Sequence, residues 1–474
     1  MNTQPKDRRI SRRRFVQTGL GAIAAATVVP RHVLGGPRFV PPSEKVNIAL
    51  IGAGGQGRTN ARALFQEADA QIIAICDPIE SHDLSDFYYR GKAGRAPVKA
   101  EIEQHYAGKA ASSRCAEYVD FRDLLEHEKA IDAVLCATPD HNHAQVVIPA
   151  MRLGKHVYCE KPLTHNIWEA RLMAKVARET GVATQMGNQG HSGEGIRATC
   201  EWIWDGAIGQ VREVHAWSGA TRWGKHIAGR PAGSPAMPKT VNNWDLWIGP
   251  REPRPYHPAY TPVTWRDFWD FGTAPIGDMA CHNIDPALMA LDLRAPRTIE
   301  ATAAGGVEDY MAPVGSMYTY QFGPRGNLPP VKLVWYDGGL EPARPDELED
   351  GMNFAGGGNG ILFVGDKGKI TCPGWAGDPT ILPLELQDDY RRPPKTLRRV
   401  KGHHRDWLDA CKGGQPASSN FAYGAALTEL VLLGPVALRT GKKIEWDTVN
   451  MRATNAPQAD AFLKEEYREG WELA

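Results

Sequence analysis

Lys45-Val46-Asn47-Ile48-Ala49-Leu50-Ile51-Gly52-Ala53-Gly54-Gly55-Gln56-Gly57 is the stretch that decides the fold. Residues 45–51 are a short, mainly apolar run, and the glycine cluster follows without a spacer. Beyond Gly57 the pattern becomes helical, with Ala61, Leu64 and Phe65 on one face. Strand, G-x-G-x-x-G turn and helix, in that order, is the context in which this glycine spacing holds a dinucleotide. Gly52 permits the tight turn, Gly54 lets the backbone approach a pyrophosphate, and Gly57 lets the helix pack on the strand. Gly55 and Gln56 complete the turn, so that the unpaired N–H groups of a helix start face the phosphates.

Working outward, Gln71–Cys76 forms a second strand ending at Asp77, 20 residues after Gly57. A carboxylate there accepts both adenosine ribose hydroxyls and repels a 2′-phosphate, which favours NAD over NADP. Arg58 argues the other way, because a cation helps bind a phosphate. A third strand, Ile131–Cys136, leads into Thr138-Pro139-Asp140-His141-Asn142-His143 and a helix. Strand His156–Cys159 delivers Glu160-Lys161-Pro162, another helix follows, and strand Val182–Met186 leads to Asn188. Strands alternating with helices predict an α/β fold with a doubly wound parallel sheet, whose ligands gather at the carboxyl ends of the strands. Asp77, Pro139, Lys161 and Asn188 are expected along that edge.

Residues 277–285 open a helix in which Asp278 and His282, four apart, share a face, with Asp285 one further step along it. Pro286 threatens a kink there. A carboxylate one turn from an imidazole can hold the ring and raise its basicity. An imidazole titrating near neutral pH can accept the proton that leaves an alcohol as it is oxidised. From spacing alone, Asp278 as an N-cap and His282 as a structural histidine is an equally open reading.

Taken together, these residues resemble the glucose–fructose oxidoreductase and inositol dehydrogenase family (Gfo/Idh/MocA). The resemblance is carried by Gly52–Gly57, Thr138-Pro139 with His143, Gly154-Lys155-His156-Val157 and Glu160-Lys161-Pro162. It continues at Trp265-Arg266 and at Gly277-Asp278-x-x-x-His282-x-x-Asp285. It is strong over 45–190 and weakens over 220–262 and 340–400. It implies a C-terminal α/β domain with an open, mainly antiparallel sheet, and hydride transfer between a nicotinamide cofactor and a sugar or cyclitol. It implies His282 as general base, Asp278 as a binding or orienting group, and Lys161 beside the reacting oxygen. An ammonium there stabilises developing alkoxide character. On the cofactor side it implies Thr138, Pro139, His143, Glu160, Lys161, Trp265 and Arg266, with Asn188 at the nicotinamide ribose. Gln189 and His191 reach substrate or merely form a turn.

Composition narrows the partners. Of 474 residues, 55 are Lys or Arg and 55 Asp or Glu. A neutral chain is a poor match for phosphate backbones or anionic lipid, which excludes nucleic acid and a polybasic membrane anchor. Eight cysteines without a Cys-x-x-Cys pair make neither a disulfide scaffold nor a zinc knuckle. No metal is expected, although His141 with His143 and His403 with His404 invite the thought. Trp217, Trp223, Trp244, Trp247, Trp265 and Trp269, six of the fourteen tryptophans, fall within 53 residues. Their rings suit the C–H faces of a sugar, or a core. Arg222, Lys225, His226 and Arg230 in the same stretch bind polar substrate groups or are merely solvated.

The N-terminus reads as an export signal. Lys6, Arg8 and Arg9 precede Ser11-Arg12-Arg13-Arg14-Phe15, and the apolar stretch Thr18–Val29 is too short to span a bilayer. The arginine pair resembles the twin-arginine signal. Residues 1–14 alone carry six Lys or Arg against one Asp, a net charge of +5, so removing the leader leaves an acidic chain. The expected organisation is a leader at 1–35, a Rossmann domain at 44–165, a substrate domain at 166–445 and a tail at 446–474. The tail wraps the body or a neighbouring subunit of a homo-oligomer. An exported dehydrogenase meets no pool of diffusible NAD, so tightly bound NAD and a self-regenerating cycle are expected. A redox exchange between two sugars satisfies that requirement. Glycoside cleavage through transient oxidation satisfies it too. A non-catalytic NAD- or sugar-binding sensor is the third class.

Overall fold

Six parallel strands build the first sheet in the computed structural model, which describes residues 41, 44–108, 114–225, 227 and 229–473. The expected leader with Arg12 and Arg13, and His226, lie outside the described residues. The chain order is β1 (Val46–Ile51), β2 (Ala70–Cys76), β5 (Ala116–Tyr118), β6 (Ala133–Cys136), β7 (His156–Glu160) and β8 (Thr184–Gly187). Two-residue strands β3 (His82–Asp83) and β4 (Lys92–Ala93) form a separate ribbon. The spatial order is β5-β2-β1-β6-β7-β8, so the winding reverses between β1 and β6. β6 and β8 are buried at every position, as strands covered by helices on both faces must be. Register aligns the strand ends: Ile51 pairs with Cys76 and Cys136, Cys136 with Cys159, and Glu160 with Gly187. The residues just beyond those pairs therefore share one edge. The sheet continues past the boundary expected at 165, because helix Ile167–Thr180 and β8 complete it.

The second sheet has nine strands. They are β9 (Val211–Ser218), β10 (Thr298–Ala304), β11 (Gly315–Phe322), β12 (Val331–Tyr336), β13 (Asn359–Gly365), β14 (Lys369–Pro373), β15 (Thr380–Leu382), β16 (Ile444–Asp447) and β17 (Arg452–Ala453). Their order is β15-β14-β13-β9-β12-β11-β10-β16-β17, antiparallel throughout except between β9 and β12. β11 alternates buried and half-buried residues over most of its length, the mark of a sheet covered on one face.

Helix Phe421–Thr440 is apolar on nearly all sides because it is covered on all sides. It packs against helix Ile167–Thr180 of the first domain, helix Ala274–Asn283 and strand β10. Its N-cap is Asn420, whose side chain accepts the Ala422 N–H, and Gly441 ends it in the left-handed conformation. One apolar cluster accordingly holds Ile51 and Val134 of the first sheet together with Tyr318 and Leu333 of the second. The C-terminal residues fold back on the body. Glu465 pairs with Arg251 and accepts from His165 at 2.8 Å, and Arg468 binds Asp245 at 2.6 Å.

Candidate active site

A cavity of about 440 Å³ opens along the carboxyl edge of the first sheet. It is lined by Gly52, Gly54, Gly55, Gln56, Asp77, Thr138, Pro139, His143, Glu160, Lys161, Trp265, Arg266, Asp278 and His282, residues spread over more than 200 positions of sequence. Gly57 stands behind this wall, where a Cβ would fall 2.0 Å from the Gly52 carbonyl oxygen. Gly54 faces open space, with no atom within 4 Å of a Cβ built on it. This is a cradle that a dinucleotide backbone contact fits and a side chain would fill. At Gly52, φ is +88° and the backbone of Ala137 and Thr138 lies against the Cα, so only glycine serves there.

Asp77 is fixed by the turn it serves. Its Oδ2 accepts the Ala53 N–H at 2.7 Å and its Oδ1 the Ile79 N–H at 2.8 Å. Burial raises its carboxyl to about 6 against those two hydrogen bonds. Arg58 does not join it. That guanidinium is buried and donates to the carbonyls of Tyr89, Arg90 and Lys92, so it is not offered to a 2′-phosphate. The ring of Tyr89 lies against Gly55, and its hydroxyl donates to Gln56 Oε1 at 3.4 Å.

Glu160 and His143 act as ties between loops. Glu160 Oε1 accepts from Asn60 (2.8 Å), Gln56 (3.1 Å) and Gln189 (3.2 Å), joining the glycine helix to the end of β7, and burial raises its carboxyl. The two ring nitrogens of His143 meet the carbonyls of Pro162 (2.9 Å) and Thr138 (3.0 Å). His143 also lies with Cys136 and Cys159, one ligand-type atom of each within 4.8 Å of the others. Asp140 caps no helix; it accepts the Thr273 hydroxyl at 2.7 Å.

The candidate reacting groups meet in the same cavity. The Lys161 ammonium donates to both the carbonyl oxygen and Oδ1 of Asp278, each at 2.5 Å. Arg266 places its Nε 3.5 Å from the same Oδ1 and stacks on the Trp265 ring at 4.3 Å. Burial would raise the Asp278 carboxyl, but Lys161 and Arg266 outweigh it and hold it well below the carboxylate range. Burial would lower Lys161, but Asp278 outweighs that and holds it above its usual value. His282 differs from expectation. Asp278 spends its carboxylate on Lys161, and the buried Nδ1 of His282 has no hydrogen-bond partner. Burial and the Lys161 charge push the imidazole down to about 3, against Asp278. The ring is therefore neutral, and its basicity is reduced rather than raised. Asp278 is no N-cap, since it sits within helix Ala274–Asn283.

Two further expectations are corrected. The helix is interrupted at Ile284 and a second helix, Asp285–Leu291, starts with Pro286 in its first turn; Asp285 does not line the cavity that Asp278 and His282 line. Asp285 accepts instead from His191 Nδ1 (2.9 Å), Asn188 (2.9 Å) and Tyr423 (2.5 Å). Asn188 is therefore not a cavity residue; its amide is spent on Asp285 and on Ser419, whose hydroxyl it accepts at 2.6 Å. The tryptophans divide. Trp223, Trp247 and Trp265 line the cavity, whereas Trp217 and Trp269 belong to the core. Tyr88, Tyr89, His82 and Trp375 line it without a prior signal. Tyr88 and Tyr89 lie in an unpatterned loop, and Trp375 lies where the family pattern fades.

Known proteins resemble this chain in sequence and in fold. Two family models match, one described as an oxidoreductase family, NAD-binding Rossmann fold, over residues 46–188. The other is the C-terminal alpha/beta domain of the same family, over residues 211–325. The inositol 2-dehydrogenase of Rhizobium meliloti is 29% identical over 169 residues, 36% of this chain and 44% of that protein. The 2,7-anhydro-N-acetylneuraminate hydratase of Mediterraneibacter gnavus is 26% identical over 171 residues, 36% of this chain and 39% of that protein. The match thus spans less than half the length of either relative. In fold, the chain is similar to the WlbA dehydrogenase from Bordetella pertussis, solved with NADH and UDP-GlcNAcA. The TM-score is 0.54 at 16% identity, covering 85% of this chain and 99% of that one. With both family models matched in order across more than half of its length, the chain belongs to the Gfo/Idh/MocA oxidoreductase family.

Proposed function

We propose that the protein oxidises and reduces a carbinol carbon of a carbohydrate, a sugar or cyclitol, using NAD that it holds tightly. The observation that carries this is the juxtaposition of Lys161, Asp278, Arg266 and His282 in the same cavity that the glycine turn lines. Gly52, Gly54 and the helix start behind them would hold the pyrophosphate, and Asp77 the adenosine ribose. When bound, the nicotinamide supplies the hydride acceptor.

The protein's own groups do the rest. Lys161 has three N–H donors and uses two on Asp278. Its third is available to the substrate oxygen, where a fixed ammonium stabilises alkoxide character as the C–H bond breaks. Asp278 keeps that ammonium charged in a buried place. His282, held neutral, takes the hydroxyl proton at Nε2 and returns it in the reverse reaction. Arg266, pinned by Trp265 and Asp278, keeps the charge around Asp278 balanced.

Export by the twin-arginine route belongs to this reading through Arg12-Arg13 and the apolar stretch after them. An exported enzyme must regenerate its cofactor within each cycle. A two-sugar exchange is the first form of that cycle, and oxidation, elimination of a glycosidic bond and re-reduction is the second. The relative whose name is hydratase makes the second worth testing. Incubation with free sugars and glycosides in deuterated water separates them. Accumulating lactone or keto-sugar marks the oxidoreductase, and cleavage with deuterium beside a transient ketone marks the lyase. Purified protein that releases no NAD on denaturation and binds none tightly would overturn the closed cycle.

A further inference from the structure

Trp375 follows strand β14 in a turn, and it lines the same cavity as Lys161 and His282. Its ring centroid is 5.7 Å from that of His282, with the planes at 44°. Its surface is 48% exposed, so it is not a core residue. Its backbone is held where bulky L residues rarely go. φ is +58° at Trp375 and +54° at Ala376.

Several neighbours enforce that conformation. Asn283, the residue after His282, accepts the Trp375 N–H on its Oδ1 at 3.1 Å and donates its Nδ2 to the Trp217 carbonyl at 2.7 Å. Gly190 and Gly195 make room for the turn. A Cβ on Gly190 would lie 2.3 Å from the Trp375 carbonyl oxygen, and one on Gly195 2.3 Å from that of Ala376. Glycine would take the Trp375 conformation without strain. Strain that its surroundings over-determine marks a position where the side chain is wanted. What the indole adds over a glycine is a flat apolar face beside the imidazole, with room before it in the cavity.

We propose that Trp375 is a binding platform for the apolar C–H face of a six-membered ring, a pyranose or cyclitol, and so holds the reacting carbinol against His282. This rests on the carbohydrate reading above and narrows it to ring substrates rather than acyclic polyols. Aromatic side chains favour such faces because the ring presents a negative π surface to polarised C–H groups.

The test uses the NAD-loaded protein and a panel of methyl pyranosides of glucose, galactose, mannose and N-acetylglucosamine, with myo-inositol and the acyclic polyol sorbitol. Binding is read by calorimetry, and the half-saturating concentration (taken as KM) and the rate of a single reduction of the bound nicotinamide by its absorbance. Trp375→Gly removes the ring and accepts the left-handed backbone; Trp375→Ala removes the ring and keeps the strain; Trp375→Phe keeps a flat face. We expect the Gly and Ala variants to weaken binding of the best ring ligand about tenfold or more, through KM, with bound NAD unchanged. The Phe variant should stay within about threefold, and Trp375→Gly should not lower the thermal midpoint. A Gly variant that binds the ring ligand as tightly as the parent overturns the platform, and so does a parent that prefers sorbitol. If the parent neither binds nor turns over any member of the panel, the carbohydrate reading itself falls. If Trp375→Ala fails to fold, Trp375→Gly against Trp375→Phe decides.

Discussion

Alanine at Gly57 and alanine at Gly54 should damage the protein in different ways. At Gly57 the new Cβ would sit 2.0 Å from the Gly52 carbonyl oxygen and 3.0 Å from the Gly52 carbonyl carbon. A carbon–oxygen contact relaxes only near roughly 3.3 Å, so the helix start must retreat from the turn by roughly 1.3 Å. The atom struck is backbone, and no side-chain rotation relieves it. Overpacking of this kind costs about 1–3 kcal/mol of stability. The same retreat carries the helix-start N–H groups away from the phosphates. Losing two hydrogen bonds to a charged group at about 1.5 kcal/mol each amounts to roughly a hundredfold in affinity. Gly54 is the contrast. Its φ of −66° suits any L residue and nothing lies within 4 Å of a Cβ there. Gly54→Ala should keep its stability to within about 1 kcal/mol. It should still bind NAD poorly, because the methyl occupies the space the pyrophosphate approaches. Guanidinium unfolding gives the stabilities, and calorimetric titration of NAD into nucleotide-free protein gives the affinities. Parental stability and affinity in Gly57→Ala, or parental affinity in Gly54→Ala, would refute this account of the turn.

Other substitutions probe the reacting end. His282→Ala should abolish hydride transfer and leave bound NAD unchanged; unaltered turnover would remove it as the base. Since burial and Lys161 push His282 down to about 3, the acid limb of kcat/KM for oxidation should fall below pH 4 rather than near 6.5. A limb between pH 6 and 7 in the parent would contradict that. Lys161→Met leaves Asp278 facing only Arg266, and should cost stability toward the lower end of about 3–5 kcal/mol in denaturant melts. Asp278 has a depressed folded pKa, so its contribution is present above the unfolded value near 4 and is lost as pH falls below it. Asp278→Asn should flatten the stability curve there, and an unchanged acid limb would show that the pair is not stabilising. Asp77→Asn should narrow the preference for NAD over NADP, measured as a ratio of dissociation constants, because Arg58 stays on its carbonyls and only the repulsion is removed.

The parts legible in the sequence were those set by local spacing. The glycine turn, the strand ends and the Glu160-Lys161-Pro162 step each lie within a few residues, and parallel register brings them to one edge. The salt bridge between Lys161 and Asp278, 117 residues apart, depends on how a helix of the second domain meets the first sheet, which no short pattern encodes. Register locates Asn188 at the edge without saying where its side chain turns, and that side chain turns to Asp285. The spacing argument for Asp285 assumes an unbroken helix, and Pro286 stands in the first turn of a second one. Neither periodicity nor motif marks the strained turn at Trp375; only φ does.

The long helix Phe421–Thr440 bears on how the protein could move. Two domains joined by a linker can hinge apart and exchange what lies between them. Here the helix is wedged between a helix of the first sheet and both a helix and a strand of the second half, within one continuous apolar cluster. Opening a hinge would drag buried leucines such as Leu427, Leu430 and Leu433 into water. The halves are two units by sequence and one solid by mechanics. The walls of the cavity are therefore fixed relative to each other, and on the proposed function a substrate would enter and leave through the cavity mouth rather than by the two halves swinging apart.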